Sequence, residues 1–386
     1  MNNKKQAIYL VEACRSPIGK LNGALASWRP DDLAATVLQD LLQKAAVAPE
    51  WVEGIILGCA NQAGEDNRNV ARMVALLGGL SYESTALTVN SLCSSSLEAV
   101  FSGLRQIALG EGDCYVVGGV ESMSRSPLVT SKSTQEQVDS MIGWRFVNPK
   151  LKALSLSMAA TAELLSEQYQ ISRIAQDVYA QQSREKYAAA LKKKLWEQEI
   201  TSLGMATPKD EQHRLLSGAL LAKMPPLVKG GQYITAGNAA RVGDGAALVL
   251  LASESFVQQH QLQPLAKVNH WASAACHPNA MSYAAVAASK KLLQKAQLPS
   301  KALDWVEYSE SFALQVLLGI QELGLPTTVV NPHGGALSIG NPIAVGAVRG
   351  VVSLAKEMAR SASIKQGLVV TSGGLGIGAA LLLEQV

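Results

Sequence analysis

The sequence predicts an α/β protein whose body is a duplicated strand–helix–strand unit carrying an insertion, and three observations carry that prediction. First, "AIYLVEA", "EGIILGCA", "CYVVGGV", "AALVLLAS" and "GLVVTSGG" are short, continuously apolar runs ending in glycine or small residues, the pattern of strands buried on both faces. Second, helical stretches lie between them, such as "DDLAATVLQDLLQKAAV" from Asp31 to Val47, which opens on acidic caps. Third, the two ends echo each other. "TVNSLCSSSLEAVFSGLRQIALGEGDCYVVGGVE" and "VVNPHGGALSIGNPIAVGAVRGVVSLAKEMARSASIKQGLVVTSGGLG" both start at Val-Asn, run into a helix, and end in a buried strand before Gly-Gly. Such self-similarity signals a duplicated unit, and a pseudo-two-fold body would bring its two loops together.

Between about Ser122 and Tyr233 the strand pattern fades. "SRIAQDVYAQQSREKYAAALKKKLW" reads as a helix with Ser172 as N-cap. "PKDEQHRLLSGALLAKMPPLVKGG" is charged and broken by proline, hence loop-like. The segment is expected to be inserted into the α/β body. The boundaries read as 1–121 plus 234–263 for the N-terminal half, 122–233 for the insertion, and 264–386 for the C-terminal half.

Bulk properties exclude several classes. The 386 residues suffice for roughly two or three domain-sized units. A net charge of +3 offers no basic face for nucleic acid, and Lys192–Lys194 read as a solvated helix end. No apolar run approaches the roughly 18 residues of a membrane span, and Glu12 interrupts the short N-terminal run, so a cytoplasmic protein without membrane insertion is expected. The five cysteines lack CxxC spacing and the five histidines form no HExxH pair, so reduced thiols and no metal site are expected.

"NSLCSSSLEAV" sets Cys93 between an apolar run and a helix. The dipole and free N–H groups of a helix start draw a thiol toward thiolate, and the following serines leave room for a substrate. The same pattern also fits a small buried hydrophobe, so the residues alone leave both readings open.

At this point several segments align with one family. "NSLCSSSLEA" resembles the nucleophile segment of the thiolases, the CoA-dependent acyltransferases. "VVGGVESMSRSP" resembles their Gly-Gly-x-Glu-x-Met-Ser segment, and "TAGNAARVGDGAALVLLASE" their Thr-Ala-Gly-Asn…Asp-Gly-Ala segment. "PNAMSYAAVAASKK" corresponds to Met-Gly-x-Gly-Pro, "YSESFALQ" to Asn-Glu-Ala-Phe-Ala, and "NPHGGALSIGNPIAVGAVRG" to Gly-Gly-Ala-x-x-x-Gly-His-Pro. Order and spacing agree from about residue 6 to the C-terminus. The resemblance implies two βαβαβαββ-type halves in a five-layer αβαβα arrangement with an inserted loop domain. It also implies a homodimer or dimer of dimers, an acyl-CoA substrate, and no permanently bound cofactor beyond that CoA thioester.

Thiolases act through an acyl-cysteine thioester, and the resemblance maps their groups unevenly. Cys93 takes the nucleophile position, and Gly374 lies in the loop whose N–H groups would complete an oxyanion hole. Asn341 stands in the place of the Gly-His-Pro histidine, Ser309 in that of the water-holding asparagine, and Ser372 in that of the second cysteine. Imidazole titrates near 6.5 and a thiol near 8.5, whereas a carboxamide has no usable basicity and an alcohol is a far weaker acid. Losing one general base costs about 10²–10⁴ in rate, so ordinary thiolysis is expected to be weak or absent. Acylation is expected to suffer less, because a helix-end thiol can self-activate. In ketoacyl synthases an asparagine occupies the equivalent turn with a histidine at the position of Ser309; neither histidine is present here. His333 is the nearby candidate to substitute, though it also reads as a turn histidine bonded to backbone; His277, near the segment that holds Met281, is the weaker candidate.

The expected CoA pocket carries further departures, Ser157 for a common histidine and Ala240 for a serine, beside Met158, Met281 and Phe312. Arg214, Ser217 and Lys223 are candidates for the nucleotide phosphates. Three functional readings follow: a divergent acyltransferase working through acyl-Cys93; a degenerate CoA-ester-binding or assembly subunit, with a possible partner acyltransferase; and an ordinary thiolase carrying inactivating substitutions. The changes at Ser309, Ser157 and Ala240, beyond those at Asn341 and Ser372, argue for divergence over the last.

Overall fold

The computed structural model describes residues 7–386 apart from 67, 134, 142–147 and 155. Its strands are β1 (Ile8–Arg15), β2 (Gly19–Lys20), β3 (Gly54–Gly58), β4 (Thr85–Val89), β5 (Cys114–Ser122), β6 (Leu128–Thr130), β7 (Gln137–Asp139), β8 (Gly243–Ser253), β9 (Ala266–Ala275), β10 (Trp305–Tyr308), β11 (Gln366–Gly373) and β12 (Ile377–Glu384). Its α-helices are α1 (Pro30–Ala45), α2 (Val70–Leu77), α3 (Ser95–Leu109), α4 (Met158–Gln168), α5 (Arg173–Lys192), α6 (Gly218–Ala222), α7 (Glu254–Gln259), α8 (Ala284–Ala296), α9 (Ala313–Leu323), α10 (Ala336–Ile339) and α11 (Gly346–Arg360).

The main strands follow the order β10-β11-β12-β9-β1-β8-β5-β3-β4. The N-terminal half pairs β4, β3 and β5 in parallel, then β8 and β1 antiparallel. The C-terminal half repeats the scheme: β10 and β11 are parallel, β12 and β9 antiparallel, and a single parallel bridge from Val306 to Val330 stands where the N-terminal half has β4. The halves join edge to edge at Ile8–Leu10 of β1 against Ala266–Val268 of β9. One continuous sheet therefore replaces the two separate sheets that duplication alone suggests.

The apolar cores define the layers. Leu97, Phe101 and Leu104 of α3 and Val348, Val351 and Met358 of α11 pack together between the two half-sheets, against Val117 and Val249 on one side and Val369 and Leu381 on the other. Helices α1, α2 and α7 cover the outer face of the N-terminal half, and α8 and α9 that of the C-terminal half. The order αβαβα follows, as expected, from strands apolar on both faces. Ser172 caps α5 through a bond from the Ala175 N–H, and Lys192 closes that helix. The segment between β5 and β8 departs from its reading in two places: β6 and β7 form a small hairpin, and the charged stretch holds α6, capped by Ser217. No helix among the described residues is long and apolar enough to cross a membrane.

Candidate active site

The carboxyl ends of the strands converge where α3 and α11 begin, the usual place for a site in such sheets. The chain leaves β4 through Asn90, whose side chain accepts from the Leu92 N–H (2.9 Å) and donates to the Ala60 carbonyl (3.0 Å). Leu92 takes a left-handed φ of 54°, uncommon for a residue with a branched side chain. Ser95 locks this elbow, accepting from the Ser91 N–H at 2.8 Å and donating to the Leu92 carbonyl at 2.5 Å. Cys93 is thereby set ahead of α3, which begins at Ser95.

The Cys93 thiol is buried, 5% exposed, and burial pushes its pKa up to about 11; the Gly374 N–H acts the other way and the Glu121 carboxylate adds to the rise. This corrects the expectation of self-activation: desolvation outweighs the helix start, and the group is a thiol at neutral pH. Gly374 follows β11, beside Leu375 at a left-handed φ of 61°. A Cβ on Gly373 would stand 3.2 Å from Ser94 Oγ and 3.4 Å from the Cys93 nitrogen, so the two loops touch.

Asn341 enters from the C-terminal half. Its N–H donates to the Arg241 carbonyl at 2.7 Å. Gly340 before it has φ 96°, a conformation that favours glycine, and a Cβ there would fall 2.1 Å from Gln212 Nε2, which would have to shift. The Asn341 carboxamide and Ser309 hydroxyl share one spot: a Cβ on Gly346 would lie 2.3 Å from Asn341 Oδ1 and 4.0 Å from Ser309 Oγ. Ser309 is fixed by its N–H to the Val370 carbonyl at 2.9 Å. Ser372 is fully buried in β11. Among the described residues neither Ser372 Oγ nor Asn341 Oδ1 has a hydrogen-bond partner, a condition that water or a substrate group relieves.

His333 does not join this set. Its ring lies 4.8 Å from that of Trp305 and 6.0 Å from that of Trp196, with Nδ1 3.8 Å from Glu357. Trp305 pairs with Gly367 at the start of β11, whereas Ser372 lies about 16 Å further along at the usual strand rise. Burial, with Arg360 and Lys193, lowers the His333 pKa to about 4. His277 accepts from the Asn279 N–H at 3.2 Å, as a turn histidine.

Of the expected pocket residues, Met158, Met281, Phe312 and Ala239, the neighbour of Ala240, meet in one apolar cluster. The Ala240 N–H donates to the Ser311 carbonyl at 3.0 Å. Ser157 caps α4. Arg214, Ser217 and Lys223 are exposed around α6.

Two features escaped the sequence reading. Glu121, fully buried at the end of β5, accepts from the N–H groups of Ala60, Asn61 and Ala344, each at 3.1 Å. It ties the nucleophile's half to the Asn341 loop, and burial raises its pKa to about 7. Cys59 and Asp66 adjoin it, the three offering ligand atoms within 4.8 Å of one another; burial pushes Asp66 up to about 6. The other feature is His213, whose Nδ1 lies 2.7 Å from Ser338 Oγ near the Asn341 turn. "DEQHR" looked like plain loop, so only the tertiary packing reveals it.

Comparison with known proteins agrees with this architecture. Residues 8–255 match the thiolase N-terminal domain and residues 262–385 the thiolase C-terminal domain. The β-ketoadipyl-CoA thiolase of Acinetobacter baylyi is 42% identical over 398 residues, covering 98% of this chain and 99% of that protein. The acetyl-CoA acetyltransferase of Shinella zoogloeoides is 34% identical, at 98% of each chain. Among solved structures, the Bacillus anthracis acetyl-CoA acetyltransferase superposes with a TM-score of 0.93 at 32% identity over the whole of both chains. Human mitochondrial 3-ketoacyl-CoA thiolase in complex with CoA gives 0.92 at 32% identity, covering 99% of this chain and 98% of that one. The chain belongs to the thiolase family, across both its N-terminal and its C-terminal domains.

Proposed function

We propose that this chain is a thiolase-type acyltransferase that forms an acyl-Cys93 thioester from an acyl-CoA and passes the acyl group to an acceptor. Ordinary 3-ketoacyl-CoA thiolysis is weak on this reading. The observation that supports it is the contact of the Cys93 and Gly373–Gly374 loops; Asn341, Ser309 and Ser372, which we assign to the same site, have side chains that can donate hydrogen bonds but have no usable basicity at neutral pH.

In the acylation step the Cys93 sulfur attacks the thioester carbonyl while the Gly374 and Cys93 N–H groups stabilise the oxyanion. The carbon–sulfur bond to CoA breaks, and the thiol proton ends on the departing CoA sulfur, so no net base is consumed. Deprotonating a substrate α-carbon is a harder demand, and Ser372 is a poor base for it. The favoured acceptor is therefore a carbon nucleophile activated by decarboxylation or by its own acidity, or a heteroatom nucleophile. CoA binding is assigned to Met158, Ala240, Met281 and Phe312 at the pocket, with Arg214, Ser217 and Lys223 toward the nucleotide.

A homodimer is proposed through β4. It ends the sheet order and carries an exposed Leu87, an open edge of the kind that pairs with another chain.

A second reading, a CoA-ester-binding or assembly subunit without turnover, is favoured by the raised Cys93 pKa. Intact-protein mass spectrometry with a panel of acyl-CoAs separates the two. The proposal expects a mass increase by one acyl group, absent in Cys93→Ala. No adduct with any acyl-CoA, or one unchanged in Cys93→Ala, overturns it, and CoA binding without an adduct then supports the second reading.

A further inference from the structure

One carboxylate stands between the two arms of the site. Glu121 is fully buried at the end of β5. Its Oε1 accepts from the Asn61 N–H at 3.1 Å and from the Cys59 thiol at 3.6 Å. Its Oε2 accepts from the Ala60 N–H of the N-terminal half and from the Ala344 N–H of the C-terminal half, both at 3.1 Å. The four lone-pair sites of an ionised carboxylate are thereby all used.

Each end of this bridge leads to the site within a few bonds. On the N-terminal side the Ala60 carbonyl accepts from Asn90 Nδ2 at 3.0 Å, and Asn90 Oδ1 accepts from the Leu92 N–H at 2.9 Å, which sets the elbow before Cys93. On the C-terminal side Ala344 belongs to the turn that follows Asn341. There the Pro342 carbonyl accepts from the N–H groups of Val345 at 2.7 Å and Gly346 at 3.0 Å and leads the chain into α11. The crease between the arms is narrow. Gly119 shares a face of β5 with Glu121, and a Cβ on it would stand 3.0 Å from the Ala344 and Gly58 carbonyl oxygens and 3.1 Å from Ser96 Cβ. The Val348 N–H donates to Ser96 Oγ at 3.3 Å across the same crease. Strand β5, the start of α3 and the Ala344 turn therefore lie against one another, and Glu121 binds the first to the last.

We infer that Glu121 is a positioning residue for acyl transfer: its carboxylate sets the separation between the Cys93 elbow and the Asn341 turn without touching the reacting atoms. This consequence rests on the acyl-transfer reading above. A misplacement of about 1 Å in such a frame costs about a hundred-fold in rate, and a buried N–H that loses its acceptor moves to find another. Asp66 supplies the comparison. It is equally shut from solvent, 3% exposed, and its Oδ2 accepts from Asn61 Nδ2 at 2.7 Å, a bond that stays within the N-terminal half.

The test compares Glu121→Gln with Asp66→Asn in the full-length protein. Glutamine keeps the size of Glu121 but presents one acceptor oxygen instead of two, so either the 59–61 segment or the join to Ala344 is released. Glu121→Gln is expected to slow acylation of Cys93 at saturating acyl-CoA by about ten- to a hundred-fold, while CoA affinity, read by calorimetry, changes by less than about two-fold. Deuterium uptake over residues 341–348 is expected to quicken. Asp66→Asn should leave acylation within about two-fold and that uptake unchanged. Where Glu121→Gln does not fold, Glu121→Asp takes its place: it keeps both acceptor oxygens on a shorter stem, and the same loss of rate is expected because the distance has changed. Acylation within two-fold of the parent, an equal loss in Asp66→Asn, or a loss of CoA affinity as large as the loss of rate overturns the inference. If the parent forms no acyl adduct, the proposed function fails, and the exchange measurement decides alone: quicker uptake over 341–348 in the Glu121 variant only upholds the bridge, and unchanged uptake overturns it.

Discussion

The two arms of the site differ in how completely they are finished. The N-terminal arm, Asn90–Ser96, closes on itself: Asn90 holds Leu92, and Ser95 bonds both Ser91 and Leu92. The C-terminal arm, made of Ser309, Asn341 and Ser372, has equally well-fixed backbone but leaves Asn341 Oδ1 and Ser372 Oγ without partners among the described residues. The contrast separates two jobs. Positioning the nucleophile is done by local backbone bonds and a strained elbow. Moving protons depends on side-chain identity, and on the proposed reading the C-terminal arm has kept the position of its groups while changing their chemistry.

If the N-terminal arm is the working nucleophile, its chemistry follows the thiolate. A pKa near 11 leaves a thiolate fraction of about 10⁻⁴ at neutral pH. The rate of Cys93 acylation should therefore rise about ten-fold per pH unit from pH 7 to 9, read by time-resolved mass spectrometry. A flat profile would mean that a nearby group takes the proton, and the arms would not be divided as described. The sign for stability is opposite. The thiol is ionised more readily when unfolded than when buried, so its contribution to stability is full below the unfolded pKa and shrinks as pH rises above it.

The contact between the arms should be sensitive to a single methyl. Gly373→Ala places a Cβ against Ser94 and the Cys93 nitrogen, and acylation is expected to fall by about ten- to a hundred-fold through misplacement of the reacting groups, with little change in melting temperature. Gly340→Ala tests the C-terminal arm's backbone. Its left-handed φ and the nearness of Gln212 should cost about 1–3 kcal/mol, seen as a lowered midpoint in thermal unfolding. The smallest effect is expected at His333. Since it packs on Trp305 and Trp196, His333→Gln should change acylation by less than about two-fold; a large loss would mean that this residue reaches the site after all.

The buried runs made the strands and layers legible, and the echo between "TVNSLC" and "VVNPHGG" anticipated the duplicated halves. Cys93 and Asn341 stood out because a helix start and a Gly-Asn-Pro turn are local signals. What stayed hidden came from long-range packing. The helix start at Cys93 suggested a lowered pKa, but the loops that bury the thiol come from both halves of the chain. His333 looked close to Asn341 along the chain, whereas the fold turns its ring toward the far end of β11. Glu121 lies at the end of a buried run, and only the fold brings its carboxylate to the Ala344 N–H of the other half.

The most direct test of this division of labour is the thiolysis of acetoacetyl-CoA by the double variant Asn341→His, Ser372→Cys. If the frame is intact and only the proton-moving side chains differ, thiolysis should rise by about 10²–10⁴ over the parent chain. A double variant as inactive as its parent, though folded and still acylated at Cys93, would contradict the account, because the pocket would then have been rebuilt rather than stripped of its bases.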